Sequence, residues 1–169
     1  AADINVSAAN PLALSLAAPL EWASETRYPL FLHERDAHNR FIEIISPYKE
    51  DLPKSVVHCF TGNKDALEKY IEMGFYIGIT GWLCDERRGK HLIDLIPIIP
   101  LDKLMIETDC PYLLPRDMGI DNSTRNEPQF LKHIAGRIAE IRPESKELLF
   151  SAIYMNSLDF FDITFHECF

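Results

Sequence analysis

The sequence predicts an α/β protein built on a parallel sheet covered by helices. Three observations carry that prediction. From Tyr28 onward, short runs that are apolar throughout alternate with segments whose apolar residues recur at helical spacing, the pattern of strands buried on both faces between crossover helices. Polar residues of catalytic type stand at the carboxyl ends of those runs. Neither a GxGxxG nor a Walker loop is present, and either would have argued for a nucleotide-binding open sheet.

The elements follow in order. PLFLH (29–33) reads as a strand, and DAHNRFIEIIS after it as a helix with Phe41, Ile44 and Ile45 on one stripe. SVVHCF (55–60) is the second strand. A helix runs from Asn63 through KDALEKYIEM, with Leu67, Tyr70 and Ile71 as its apolar face and Gly74 as its stop. FYIGIT (75–80) is the third strand, DERRGKHLIDLI a helix ended by PIIP, and LMIETD (104–109) the fourth strand. The loop CPYLLPRDMGIDNSTRNEP is long enough to require a functional reason. A helix begins near Pro128 with Leu131, Ile134, Ile138 and Ile141 in register, Pro143 breaks it, and a last helix carries LLFSAIYMNSLDFF.

Composition sets the outer limits. The 169 residues are 47% apolar and 25% charged, enough for one domain with a core. Net charge is -9, so the molecule as a whole repels phosphate, and a broad basic DNA-binding face is not expected. Chemistry on nucleic acid must rest on a local basic patch or on bound cations. Cys59, Cys84, Cys110 and Cys168 show no CxxC pair and read as reduced thiols. No apolar run approaches the roughly 20 residues of a bilayer span, and PLALSLAAPL (11–20) lacks a basic flank, so no membrane partner and a cytoplasmic location are expected. Eight of the 13 alanines fall in residues 1–23, which sets residues 1–24 apart as an atypical N-terminal segment from the domain part at 25–169.

His33 ends the first strand, His58 sits within the end of the second and Asp109 ends the fourth, 25 and 51 residues apart. A (β/α)8 barrel of about 250 residues averages roughly 31 per unit, so these intervals fit one unit and then two, with FYIGIT as the skipped strand. All three then stand on the rim where such barrels build active sites, and two imidazoles with a carboxylate can ligate Zn, Mn or Mg. Arg35 and His38 face substrate or solvent, and Arg87 and Arg88 are open between a phosphate contact and a solvated helix face.

FLHERDAH (31–38), VVHCFTG (56–62), YIGITGWLCDERRG (76–89), IETDCPYLLPRD (106–117) and RNEP (125–128) together resemble the TatD family of metal-dependent deoxyribonucleases, a branch of the amidohydrolase-like barrels. The resemblance covers about 140 residues, from Glu25 to near Phe161. It implies a TIM-type barrel with a divalent metal centre that hydrolyses DNA phosphodiester bonds. The family's HxH pair and GExGLD motif are absent, and residues 1–24 are too few for four βα units. The chain is therefore expected to supply about the C-terminal half of a barrel, with upstream sequence missing.

The resemblance implies two divalent metal ions, Mg, Mn or Zn, with His33, His58 and Asp109 as ligands and Asp109 also the catalytic base. The implied substrate is DNA, single-stranded or at strand ends, with no protein partner evident. Arg35, Tyr112, Arg116 and Arg125 are substrate-binding candidates, although Arg116 and Arg125 could equally pair with local acids. Glu127 is a candidate to brace the loop or cap the next helix. Glu107 is expected on the opposite face from Asp109, paired with an arginine of the helical layer. Two alternatives stand beside the nuclease: a hydrolase of small esters, amides or lactones on the same scaffold, and an inactive fragment lacking half the metal shell.

Overall fold

A computed structural model describes residues 2–7 and 17–164, with side chains from residue 20 onward. Five strands form one sheet in the order of the chain, every neighbouring pair parallel: β1 (Ala2–Ser7), β2 (Leu30–Arg35), β3 (Ser55–Val57), β4 (Tyr76–Ile79) and β5 (Leu104–Ile106). The predicted class is α/β, and the arrangement is that of successive strands in a TIM-type barrel.

Four of these strands were expected and the fifth was not. β1 lies in the alanine-rich opening and pairs with β2 from Ala2 opposite Leu30 to Ser7 opposite Arg35. Alanine and asparagine are poor strand formers, so the strand rests on its pairing rather than on local preference. Helix α1 (Ala17–Thr26) follows it, burying Leu20 and Ala23.

Helix α2 (His38–Ile45) buries Phe41 and Ile45 of the expected stripe. Helix α3 (Lys64–Glu72) starts where Asn63 Oδ1 accepts the Ala66 N–H at 2.9 Å, and Gly74 at φ +80° supplies the left-handed exit. The segment 85–96 is not one helix. The Asp85 carbonyl accepts the N–H groups of Arg88 and Gly89 in a turn, and only α4 (Leu92–Leu95) is helical. Gly89 is required there, because a Cβ would sit 2.0 Å from the Trp82 carbonyl oxygen. Helix α5 (Leu131–Ile141) buries Ile134, Ala135 and Ile138, and α6 (Lys146–Phe161) is capped by Ser145. No helix among the described residues is long and apolar enough to cross a membrane.

Strand alternation sorts the core into two faces. Leu30, Leu32, Val57, Ile77, Ile79 and Leu104 join the helices in the larger cluster. Val56, Tyr76 and Met105 face the other way, with Phe31 beside them and Phe160 of α6 packed across them. Tyr76 donates to Asp159 at 2.5 Å, and Lys54 donates to Asp159 and Asp162, fixing the end of α6 at the amino ends of the strands. The carboxyl ends of that second face are left for the polar residues.

Candidate active site

His33 is the fourth residue of β2, whereas His58 follows β3 by one position and Asp109 follows β5 by three. Strands β3 and β5 are thus shorter than expected, and two of the three predicted ligands stand in the turns beyond them. Those turns are sharp. Cys59 has φ +49° and Asp109 has φ +57°, a left-handed conformation uncommon for residues with a Cβ. Cys110–Pro111 after Asp109 is a cis peptide.

These turns bring the predicted residues together. The rings of His33 and His58 lie with centroids 4.5 Å apart. His58 Nε2 is 3.2 Å from Asp109 Oδ1, and His58 Nδ1 is 2.9 Å from Glu107 Oε2. The Glu107 contact is an ion-pair distance without hydrogen-bond alignment, and both Nδ1 and Glu107 Oε1 are buried with no hydrogen-bond partner among the described residues. His33, Arg35, His58, Trp82 and Asp109 line a common cavity of about 370 Å³.

Burial by itself would lower the His58 pKa, but the facing carboxylates of Glu107 and then Asp109 outweigh it and raise the value. Two acids converging on one imidazole form a site deficient in positive charge. The Cys59 thiol is pushed up to about 11, chiefly by burial, so it is an unreactive neighbour.

The structure corrects the expectation for Glu107. Glu107, two residues beyond Met105, shares its face, and the carboxylates of Glu107 and Asp109 both meet the His58 ring, so the two acids are not opposed. Its carboxylate accepts the Cys59 N–H at 3.0 Å and braces His58 from behind the cavity, and no arginine of the helical layer holds it. It fits there because Gly78 of β4 has no side chain: a Cβ at that position would lie 2.2 Å from Glu107 Oε2. The glycine in FYIGIT, on the strand next to IETD, is the signal that could have found this contact.

The other candidates separate. Arg35 reaches the cavity, Tyr112 is 73% exposed, and Arg125 is exposed. Arg116 lies 3.5 Å from Glu86 and 4.0 Å from Asp85. Glu127 is exposed and accepts a hydrogen bond from Gln129. Asn126, overlooked in the sequence, braces the loop: it is buried, and its Nδ2 reaches the carbonyls of Thr108 at 2.5 Å and Tyr112 at 2.7 Å. Its Oδ1 accepts the Glu127 N–H.

Among the described residues, three ligand-type atoms lie within 4.8 Å of one another at Cys84, Asp117 and His133, outside the predicted rim. That group is already paired. Asp117 contacts His133 Nε2 at 2.6 Å and Arg137 Nε at 2.9 Å, and burial first, then Asp117, pushes the Cys84 thiol up to about 12.

Comparison with known proteins decides the family. A profile described as TatD related DNase matches residues 12–162. The chain belongs to the TatD family. Over 165 residues it is 48% identical to a protein of Citrobacter rodentium named 3'-5' ssDNA/RNA exonuclease TatD, covering 96% of this chain and 63% of that protein. A protein of the same name from Enterobacter lignolyticus is 51% identical over 150 residues, covering 87% and 58%. This TatD-family chain thus spans about three fifths of the length of these relatives. A TatD homologue of Escherichia coli superposes with TM-score 0.84 at 24% identity, over 97% of this chain and 63% of that one. A hydrolase TatD family protein from Entamoeba histolytica superposes with TM-score 0.74 at 26% identity, over 89% and 57%.

Proposed function

We infer that this chain carries part of the active-site rim of a metal-dependent nuclease that hydrolyses phosphodiester bonds of single-stranded nucleic acid. The observation that supports it best is the placement of His58 between Glu107 and Asp109, with His33 across the same cavity. The nitrogen and oxygen donors suit a divalent cation, and the excess of negative charge around an unmatched imidazole calls for one. His33, His58 and Asp109 would supply part of the ligand set of two ions, Mg, Mn or Zn. When bound, such ions lower the pKa of a water and neutralise charge on the phosphate.

The chain's own residues supply the rest. Glu107 lies behind the His58 ring at ion-pair distance from Nδ1, leaving Nε2 toward Asp109, and favours a ring charge or a cation there. Asp109, partly open to that cavity, takes the proton of the attacking water. Arg35 on the cavity wall holds a phosphate oxygen. The names of the Citrobacter and Enterobacter relatives favour 3'-to-5' removal of nucleotides from single strands.

The test uses a single-stranded oligonucleotide labelled at its 5' end, incubated with Mg or Mn. Stepwise shortening that EDTA abolishes, and that Asp109→Asn lowers by about 10² to 10⁴, is expected. Hydrolysis of small esters with none of nucleic acid would instead favour the small-ester alternative, and an Asp109→Asn variant as active as the parent defeats the assignment.

A further inference from the structure

A second cavity, of about 170 Å³, shares Trp82 with the first and is lined by Asp85 as well as by Arg87, Arg88, Arg116 and Asn122.

The chain builds this cavity deliberately at the local level. Thr80 Oγ1 accepts the Trp82 N–H and starts the 3-10 turn Gly81–Cys84, which delivers Asp85 to a buried position with its side chain 4% exposed. The Asp85 carboxylate accepts Nε and Nη2 of Arg87 at 3.0 and 2.9 Å, and Nε and Nη2 of Arg88 at 3.1 and 3.0 Å. Each guanidinium has five donors, so both are anchored along one edge with donors to spare. Arg88 is also stacked over Trp82, its carbon 4.1 Å from the ring centroid.

Arg116 enters from the loop beyond Asp109. Among the described residues its Nε is buried without a hydrogen-bond partner, at ion-pair distance from Glu86 and Asp85. A buried, unmatched guanidinium donor calls for an acceptor. Three arginines against Asp85 and Glu86 also leave this corner positive on a chain of net charge -9.

We propose that the Arg87–Arg88–Arg116 pocket binds a phosphate of the nucleic-acid strand one or two nucleotides from the linkage held at His33, His58 and Asp109. The nature of the strand rests on the nuclease reading. Asp85 is a positioning residue: it pre-aligns two guanidiniums so that little side-chain freedom remains to be lost on binding. Trp82, on the wall of both cavities, links the two subsites.

The test measures binding of a cleavage-resistant phosphorothioate single strand in Mg by fluorescence anisotropy. Arg87→Gln and Arg88→Gln, at guanidiniums about half exposed, leave the core intact, and Arg116→Gln is the third variant. Each is expected to weaken binding about tenfold to hundredfold at low salt. Each should also make the slope of log affinity against log salt shallower by about 0.7. A neutral methylphosphonate one or two linkages from the 3' end should weaken the parent comparably and weaken the variants no further. Losses that multiply, or an unchanged salt slope, overturn the proposal. So does an Arg116 Nε–H resonance that shifts with inorganic phosphate but not with the strand, which assigns the pocket to free phosphate. Coupled binding by a protein that never cleaves the strand refutes the nuclease reading and upholds the pocket.

Discussion

Replacing Gly78 by alanine tests the least expected contact of the site. The new Cβ would stand 2.2 Å from Glu107 Oε2, 2.5 Å from Cδ and 2.8 Å from Oε1. Restoring an ordinary contact of about 3.4 Å moves the carboxylate by roughly 1.2 Å. A glutamate head on an open surface would swing aside at little cost. Here the side chain is 11% exposed and holds both the Cys59 N–H at 3.0 Å and His58 Nδ1 at 2.9 Å, so it cannot move without releasing them. Losing the charged hydrogen bond costs about 1.5–3 kcal/mol, and crowding about 1–3 kcal/mol. The expected loss is about 3–5 kcal/mol, or about 6–20 °C in melting temperature for a domain of this size. Urea unfolding of Gly78→Ala, Glu107→Ala and the double variant measures it. Because truncating Glu107 removes the obstacle, the alanine at 78 should cost about 2 kcal/mol less in that background. A Gly78→Ala protein with the parent's midpoint, or an equal loss in both backgrounds, refutes the reasoning.

Further outcomes follow from other contacts. Arg142, with 5% of its side chain exposed, donates to the Ile96 and Ile99 carbonyls and to both oxygens of Glu144; Arg142→Met should destabilise the protein by about 3–5 kcal/mol in denaturant titration. Asn126→Ala orphans the carbonyls of Thr108 and Tyr112, so hydrogen exchange over 108–113 should quicken and nuclease turnover fall by at least about tenfold, while α3 exchanges as before. Hydrogen bonds from Arg87, and then from Arg88, hold the Asp85 carboxyl well below the usual carboxylate range against the opposing effect of burial. A depressed folded value contributes stability above the unfolded pKa of about 3.9 and loses it as pH falls through the folded value. Asp85→Asn should therefore be less stable than the parent at pH 7, with the gap closing below about pH 4 in an acid titration followed by circular dichroism.

The sequence by itself determined the α/β class and the helices at 64–72 and 131–141, and it singled out three residues that line one cavity, because each rests on local signals. These are fully apolar runs, a cap at Asn63 with a stop at Gly74, and a side chain of recognisable chemistry at the end of each run. The strand at 2–7 was not legible, since its stability comes from pairing with β2 and not from its own residues. Neither was the turn at Asp85, where ion pairs to two arginines and the close approach of Gly89 to the Trp82 carbonyl override helical periodicity.

The partners of Glu107 were decided only in three dimensions. Its acidity was visible in IETDCP, but the space it occupies belongs to Gly78, and the groups it holds belong to Cys59 and His58, 48 and 49 residues earlier in the chain. A sequence displays which groups can accept a proton or hold a cation. Which of them share a charge deficit depends on strands that meet only after the sheet has formed, because electrostatic and packing energies act over a few ångströms, whatever the separation along the chain.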